Sequence, residues 1–588
     1  MSRTGSLGVC IFPEPGLNAA RTVCYPNYVH EILGYAGLCY SSIAFGDLTV
    51  ALDKLGILVT VGETQLDLDV VESLREWVRS GGVWLSVGGV CGAGDVFGAE
   101  LEPAAFSSWG GGLCTLGEGY LLPKDASHKI LSHLAIPLHF FNGCAAKAVG
   151  AKVLAEVLDA HQRPTDRAAI TENAFGEGKA MLIAPDVPGT VVYIQQGAGV
   201  MRDGVPAPDG TGALCDSVLK SSDGAVLDWI FDREPVPGVP GLNAFLQPIA
   251  DQWRELLLRA IFYMVETQGA ALPLLWLYPR NLPALAHMSH DTDGSEVEKA
   301  RTLLETLKQA KINTTWCVIT PPYPKEIIEA IKSDGHEVGT HYNANPDGGP
   351  WSEENFDSQW RILTDLFEEQ PSTNKNHYLR WEGDIEFFEW LIARGIRLDE
   401  TKGPSKTGEA GFNFGSCQLC RPVDFAGNIM DIYELPTLTQ DLIVFAPPAL
   451  LEPLVLGARK HHGIMHLLFH PAHIEESGES DILLHSVERA RECGMEWWTA
   501  RDIVNWFEAR RSASWELLSA DSDHADVALD AGAALKGATL MWIAPSGSRV
   551  KLNGSEQTGE VVERWGFEFT STVLDLPAGS RVQLEIER

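Results

Sequence analysis

Residues 282–294 read Leu-Pro-Ala-Leu-Ala-His-Met-Ser-His-Asp-Thr-Asp-Gly. A mostly apolar stretch ends in histidines and two carboxylates, and Gly294 breaks the pattern before a helical run that begins at Glu296. Ser295 and Glu298 stand at the spacing of a capping box. The loop His290–Gly294 is therefore expected to be pinned between a strand end and a helix start, the end of a βα unit at which barrel enzymes keep their chemistry.

The alternation continues downstream. Strand TTWCVI (314–319) is followed by a helix opened by Pro324 and closed near Gly335, strand HEVGTHY (336–342), a helix from Glu353, strand HYLRW (377–381), helix DIEFFEWLIARG (384–395), strand IRLDET (396–401) and further units to Trp506. Upstream, LGVCIF, YVHEILGYAGL, GILVTVG, LDVVESLREWVRSGG and VWLSVGG also alternate between strand and helix, which implies parallel strands with crossover helices. Residues 251–265 carry Trp253, Leu256, Leu257, Ala260, Ile261, Met264 and Val265 on one helical stripe. Beyond Ser514, the segments TLMWIAP, SRVKLNG, EFTSTVLDL and RVQLEIE read as short antiparallel strands. The expected fold class is α/β, in three parts: an α/β domain at 1–269, a βα barrel at 270–511 and a small antiparallel β domain at 512–588.

Composition narrows the partners. The 588 residues are 45% hydrophobic and 21% charged, as in an ordinary globular protein. The formal charge of -34 repels phosphate backbones and anionic lipid surfaces, so neither nucleic acid nor membrane is an expected partner. The 11 cysteines are odd in number and scattered, which fits reduced thiols better than a disulfide framework. The opening MSRTGSLGVCIFPEPG lacks the apolar core of a signal peptide, and the apolar run from Ala270 to Tyr278 is short and broken by Pro273. A cytoplasmic protein is expected, with homo-oligomer formation left open.

Four polar clusters fall at successive strand ends: Ser289-His290-Asp291-Thr292-Asp293-Gly294, then Gly335 to Asn345 with His341, then Tyr378-Leu379-Arg380-Trp381-Glu382-Gly383, and finally His466-Leu467-Leu468-Phe469-His470-Pro471. Their order and spacing resemble the polysaccharide deacetylase superfamily (NodB homology, carbohydrate esterase 4), over about residues 275–510. The resemblance implies an irregular (β/α)7 barrel that uses a divalent metal ion, zinc foremost, to remove an acyl group from an N-acylated or O-acylated sugar. Such hydrolysis needs an activated water, a base for its proton, a positive centre for the developing oxyanion and an acid for the leaving group. An ion held by one carboxylate and imidazoles, with open positions, supplies the first and third.

Carried onto this chain, the resemblance makes Asp293 and His341 metal ligands, Asp291 the base, His470 the acid and Arg380 the residue that holds the base. The chain departs from the family pattern in three places. Its first loop reads H-D-T-D-G, so Asp291 takes the base role only by a one-residue slip, which alternation along the strand end permits. Asn345 stands where a second histidine ligand belongs, leaving the third ligand as Asn345, water or another histidine such as His473. Trp381 follows Arg380 where the family has x-Pro. A non-catalytic barrel that binds carbohydrate is the alternative, favoured by the missing histidine.

The segments LDVVESLREWVRSGG and GEGKAMLIAPDV resemble class I glutamine-amidotransferase-like domains of flavodoxin type, over most of residues 1–230. Cys91 stands where that family places a nucleophile. Gly89-Val90-Cys91-Gly92-Ala93 lacks the final glycine of the G-x-C-x-G elbow, however, and a chemically silent domain is expected. Cys417 and Cys420 form a single CxxC, more consistent with a loop bearing two thiols than with zinc.

Overall fold

The computed structural model describes residues 6–12, 21–104, 113–204, 209–211, 217–345, 347–520 and 524–587. Residues 1–5 and 13–16, part of the stretch read for a leader, lie outside these. The protein is mixed α/β, with a curled parallel sheet and separate antiparallel sheets. Contacts group Met1–Val191, Gln252–Asn281 and Glu508–Arg588 into one compact unit, and Val192–Asp251 with Leu282–Phe507 into another. The grouping does not follow three consecutive stretches. One reason is that the strand Leu272–Leu275 pairs antiparallel with Leu535–Ile543, so residues expected to open the barrel lie in a sheet with the C-terminal strands.

In the first unit, strands Ser41–Ile43, Leu7–Ile11, Ile57–Val61, Val83–Val87 and Gly178–Ile183 lie side by side in parallel. Strands Pro164–Phe175, Lys152–Asp159, Glu118–Pro123 and Leu138–Phe141 extend the same sheet in antiparallel fashion. The helix Leu68–Arg79 buries Val71, Leu74, Trp77 and Val78, four of the positions its spacing marks as apolar. The C-terminal strands form two further antiparallel sheets.

The second unit contains the sheet that carries the polar clusters. Its strand order is Tyr433–Glu434, Leu398–Asp399, Thr373–Asn376, Glu337–Tyr342, Thr315–Ile319, Leu285–Asp291, Ile464–Leu468, Thr439–Gln440, all parallel. The two outermost strands are joined in the chain by residues 435–438, and the sheet curls accordingly. Alternation along Leu285–Asp291 sends Ala286 and Met288 into the apolar core with Leu303 and Leu307 of the helix Val297–Ala310. It sends His287, Ser289 and Asp291 to the other face, where they meet Glu400, His466 and Lys375.

Two local expectations need correction. The Ser295–Glu298 capping box does not form: Glu296 is the N-cap without a side-chain bond, and the Ser295 hydroxyl donates to the Pro321 carbonyl at 2.9 Å. The strand expected at 377–381 lies earlier, at Thr373–Asn376, and His377–Leu379 is a tight turn in which Tyr378 and Leu379 take φ of 60° and 52°. Its four residues, Thr-Asn-Lys-Asn, are buried polar groups that pattern reading does not recognise as a strand.

Cys417 and Cys420 are buried, unbridged thiols with separate partners, the Asp251 carboxylate and the Glu434 carbonyl. Asp251 also accepts from the Ser416 hydroxyl at 2.7 Å and the Cys417 amide at 2.8 Å. Asp251→Ala takes this acceptor from the Cys417 amide and thiol, and is expected to lower the unfolding free energy by about 1–3 kcal/mol in denaturant titrations. An unchanged midpoint would show that the loop does not depend on this carboxylate.

Candidate active site

Strand register brings the clusters to one edge. Asp291 ends its strand, and Asp293 sits in the short turn that follows, where Gly294 takes φ of 73°. His341 lies next to last in Glu337–Tyr342, paired with Ile319 on one side and Lys375 on the other. His470 follows Ile464–Leu468, whose neighbour is Leu285–Asp291.

The side chains converge. His341 Nε2 lies 3.2 Å from Asp293 Oδ1 and 3.9 Å from Asp291 Oδ2. His377 Nε2 lies 3.3 Å from Asp293 Oδ2. His470 Nε2 stands 3.9 Å from Oδ2 of both aspartates.

Hydrogen bonding fixes which nitrogen faces the cluster. His341 Nδ1 lies 2.9 Å from the Lys375 carbonyl, which only a donor can satisfy. In the neutral ring, Nε2 then presents a lone pair to a carboxylate oxygen. His341 Nε2, Asp293 Oδ1 and Asp291 Oδ1 are all buried without a hydrogen-bond partner. Acceptors that face one another at such distances call for a cation between them, and Asp293, His341 and His377 form one of the groups with ligand atoms mutually within 4.8 Å. One carboxylate and two imidazoles suit a zinc-type ion with open positions.

His377 is the residue that sequence reading missed, and it was missed because it was placed inside a strand. Asn345, read as a candidate ligand, stands behind it: the Asn345 amide nitrogen lies 3.1 Å from His377 Nδ1, which is also 3.1 Å from Asn343 Oδ1. A ring that ligates through Nε2 carries its proton on Nδ1 and donates it to Asn343 Oδ1, so Asn343 is the residue that orients the imidazole. Arg380, read as the holder of Asp291, instead pairs with Glu382 and donates to the Ala344 carbonyl. The tight turn at 378–379 sends it to that loop.

The cation near Asp291 is Lys375, whose Nζ lies 4.0 Å from Asp291 Oδ1 and 3.6 Å from Glu400 Oε2. Burial opposes its charge, yet Asp291 and Glu400 keep the ammonium protonated with a raised pKa. Glu400 meets His287 Nε2 at 2.8 Å, and His466 Nε2 lies 3.5 Å from Lys375 Nζ. The His287–Glu400–His466 group therefore already has its positive charge, and a metal ion there would have to displace Lys375.

Asp441 completes the surroundings. It accepts from the His470 amide at 2.7 Å and, through its other oxygen, pairs closely with His470 Nδ1. Burial works against an imidazolium at His470, but Asp441, with Asp291 and Asp293, raises its pKa to about 9. Nε2 therefore carries a proton at neutral pH, directed at the two aspartates. His290, by contrast, is a neutral structural histidine between the Phe469 carbonyl and Thr314, its pKa lowered to about 3 by burial.

Cys91 has a backbone φ of 49° and is fully buried. Its amide and that of Val90 donate to Glu63. Burial and then the Glu63 charge push the thiol well above its usual pKa, the opposite of what a nucleophile needs.

No family model and no curated protein matches the chain. Solved structures similar to it include carbohydrate deacetylases. Agd3, described as a novel carbohydrate deacetylase, is 11% identical with 99% of each chain covered and a TM-score of 0.42. A putative polysaccharide deacetylase from Mycobacterium smegmatis is 16% identical over 40% of this chain and 93% of that one, with a TM-score of 0.31. A β-galactosidase from Bacillus circulans sp. alkalophilus is 18% identical over 32% of this chain, with a TM-score of 0.24, and only 29% of that enzyme's length is spanned. No helix among the described residues is long and apolar enough to cross a membrane.

Metal analysis of dialysed variants checks the ligand assignment. His341→Ala and His377→Ala are expected to lose bound divalent metal, and Arg380→Ala to keep it. Asn343→Ala, which removes the acceptor of the His377 Nδ1 proton, is expected to weaken binding about 10- to 100-fold, as loss of an orienting partner does. Full occupancy in His377→Ala would return the third position to another group.

Proposed function

We propose that the chain is a metal-dependent hydrolase that removes an acyl group from an N-acylated or O-acylated sugar. The observation that carries this reading is the approach of the Asp291 carboxyl group and the His470 imidazole to each other and to the Asp293–His341–His377 group. Asp293, His341 and His377 would hold a zinc-type ion, which would supply a Lewis acid for the acyl carbonyl and a lowered pKa for a water. Asp291 takes the proton of the attacking water, with the Lys375 ammonium 4.0 Å from its Oδ1. His470 Nε2 gives its proton to the departing nitrogen or oxygen, while Asp441 holds the ring through Nδ1. Carbohydrate as the substrate class comes from the motif resemblance.

The non-catalytic alternative rests on an incomplete histidine set, and the approach of His377 to Asp293 supports the catalytic reading over it. The α/β part that contains Cys91 is proposed to be a chemically silent, amidotransferase-like element. Cys91→Ser should accordingly leave turnover unchanged.

Asp291→Asn is expected to cost on the order of a hundred-fold or more in turnover while metal content stays intact. Metal loss in that variant would make Asp291 a ligand instead. The acid must be protonated, so activity should fall as pH rises through the His470 pKa of about 9. Asp441→Asn removes the main raising influence, and the alkaline limb of the kcat/KM profile should move to lower pH. A limb that stays in place would assign the acid to another residue. Metal-loaded wild-type protein that releases no acid from any acylated sugar tried would overturn the hydrolase reading.

A further inference from the structure

A second group of ligand-type side chains adjoins this centre, and the mechanism above uses only part of it. Asp441, His470 and His473 each bring a ligand atom within 4.8 Å of the other two. The tight turn Pro471–His473 folds His473 back beside His470, with ring centroids 5.7 Å apart. His473 is half-buried, so the group is open on that side. Glu479, at the start of the helix Glu479–Glu492, is fully buried, and neither of its carboxylate oxygens has a hydrogen-bond partner. Asp441 and His470 are among the charged groups that act on Glu479. A buried carboxyl without partners, close to a second carboxylate, is costly unless a proton or a cation answers it.

We propose that Asp441, His470 and His473 form a second divalent-cation site, weaker than the Asp293–His341–His377 site, and that loading it stops turnover. The donor set is again one carboxylate and two imidazoles, with Glu479 as a further carboxylate close by, which suits a zinc-type ion. Binding exchanges the proton shared by His470 Nδ1 and Asp441 for the ion, and that proton is released to solvent. The site is weaker for two reasons. The cation must displace this proton, and His470 Nε2 is only 3.9 Å from Asp293, so two dications sit near enough to repel. The inhibitory half rests on the proposed role of His470 as the acid: a ring that ligates the ion through Nδ1 is no longer an imidazolium and holds its remaining proton too tightly to give it up. The binding half does not depend on that role. The His287–Glu400–His466 group offers a similar donor set, but there Lys375 supplies the charge.

The full chain, loaded with one equivalent of Zn²⁺, is titrated with further Zn²⁺ by equilibrium dialysis and metal analysis, and turnover is followed in parallel. Wild type is expected to take up a second, weaker equivalent and to lose turnover as it does so. His473→Ala, and His473→Gln as the variant that keeps the side chain's bulk, should stop at one equivalent and keep their basal turnover in excess zinc. Wild type that stops at one equivalent overturns the site, as do His473 variants that bind the second ion as tightly as wild type. Uptake of the second ion with turnover undiminished overturns the inhibitory half. If no acylated sugar is hydrolysed at any zinc level, the proposed function fails, and the stoichiometry of wild type against the variants still decides the site.

Discussion

Like charges crowd together at the end of the strand Leu285–Asp291, and most of the surrounding arrangement answers that crowding. Asp291 and Asp293 both approach His341 within 4 Å, largely out of water. Two carboxylates so placed cannot both stay ionised unless positive groups surround them. Below Asp291, the Lys375 ammonium stands between Asp291 and Glu400. On the other side, His470 carries the charge that Asp441 stabilises. What is left without a partner is the space between Asp293, His341 and His377, where buried acceptors face one another.

The imidazoles gathered here differ in role because their remote nitrogens differ in partner. A backbone carbonyl fixes His341, the side-chain oxygen of Asn343 fixes His377, and a carboxylate fixes His470. A neutral partner leaves a ring suited to ligation, whereas a carboxylate raises the proton affinity of a ring suited to acid work. Hydrogen bonds one layer back thus separate ligation from proton transfer among identical side chains.

Much of the strand and helix order was legible in the sequence, because apolar spacing and glycine or proline punctuation mark elements such as Thr315–Ile319, Lys325–Ser333 and Glu353–Phe367. The placement of Asp291, Asp293, His341 and His470 at neighbouring strand ends follows from that order. The partners that tune them were not legible. Thr373–Asn376 is a strand of polar residues facing a polar interior, which gives no hydrophobic pattern; shifting that strand towards the aromatic HYLRW hid both His377 and Lys375. Asp441 and Glu400 come from sequence-distant segments, and only the curl of the sheet brings them near. The pairing of Leu272–Leu275 with Leu535–Ile543 was likewise beyond reach, since it joins residues far apart in the chain.

The central claim is that Asp293, His341 and His377 together hold a divalent cation. Crystals of the zinc-loaded protein, with diffraction recorded on both sides of the zinc absorption edge, test it most directly. The account predicts a strong anomalous peak bounded by the Asp293 carboxylate and the Nε2 atoms of His341 and His377. A principal peak among His287, Glu400 and His466, or one bounded by Asn345 with His377 turned away, would contradict it.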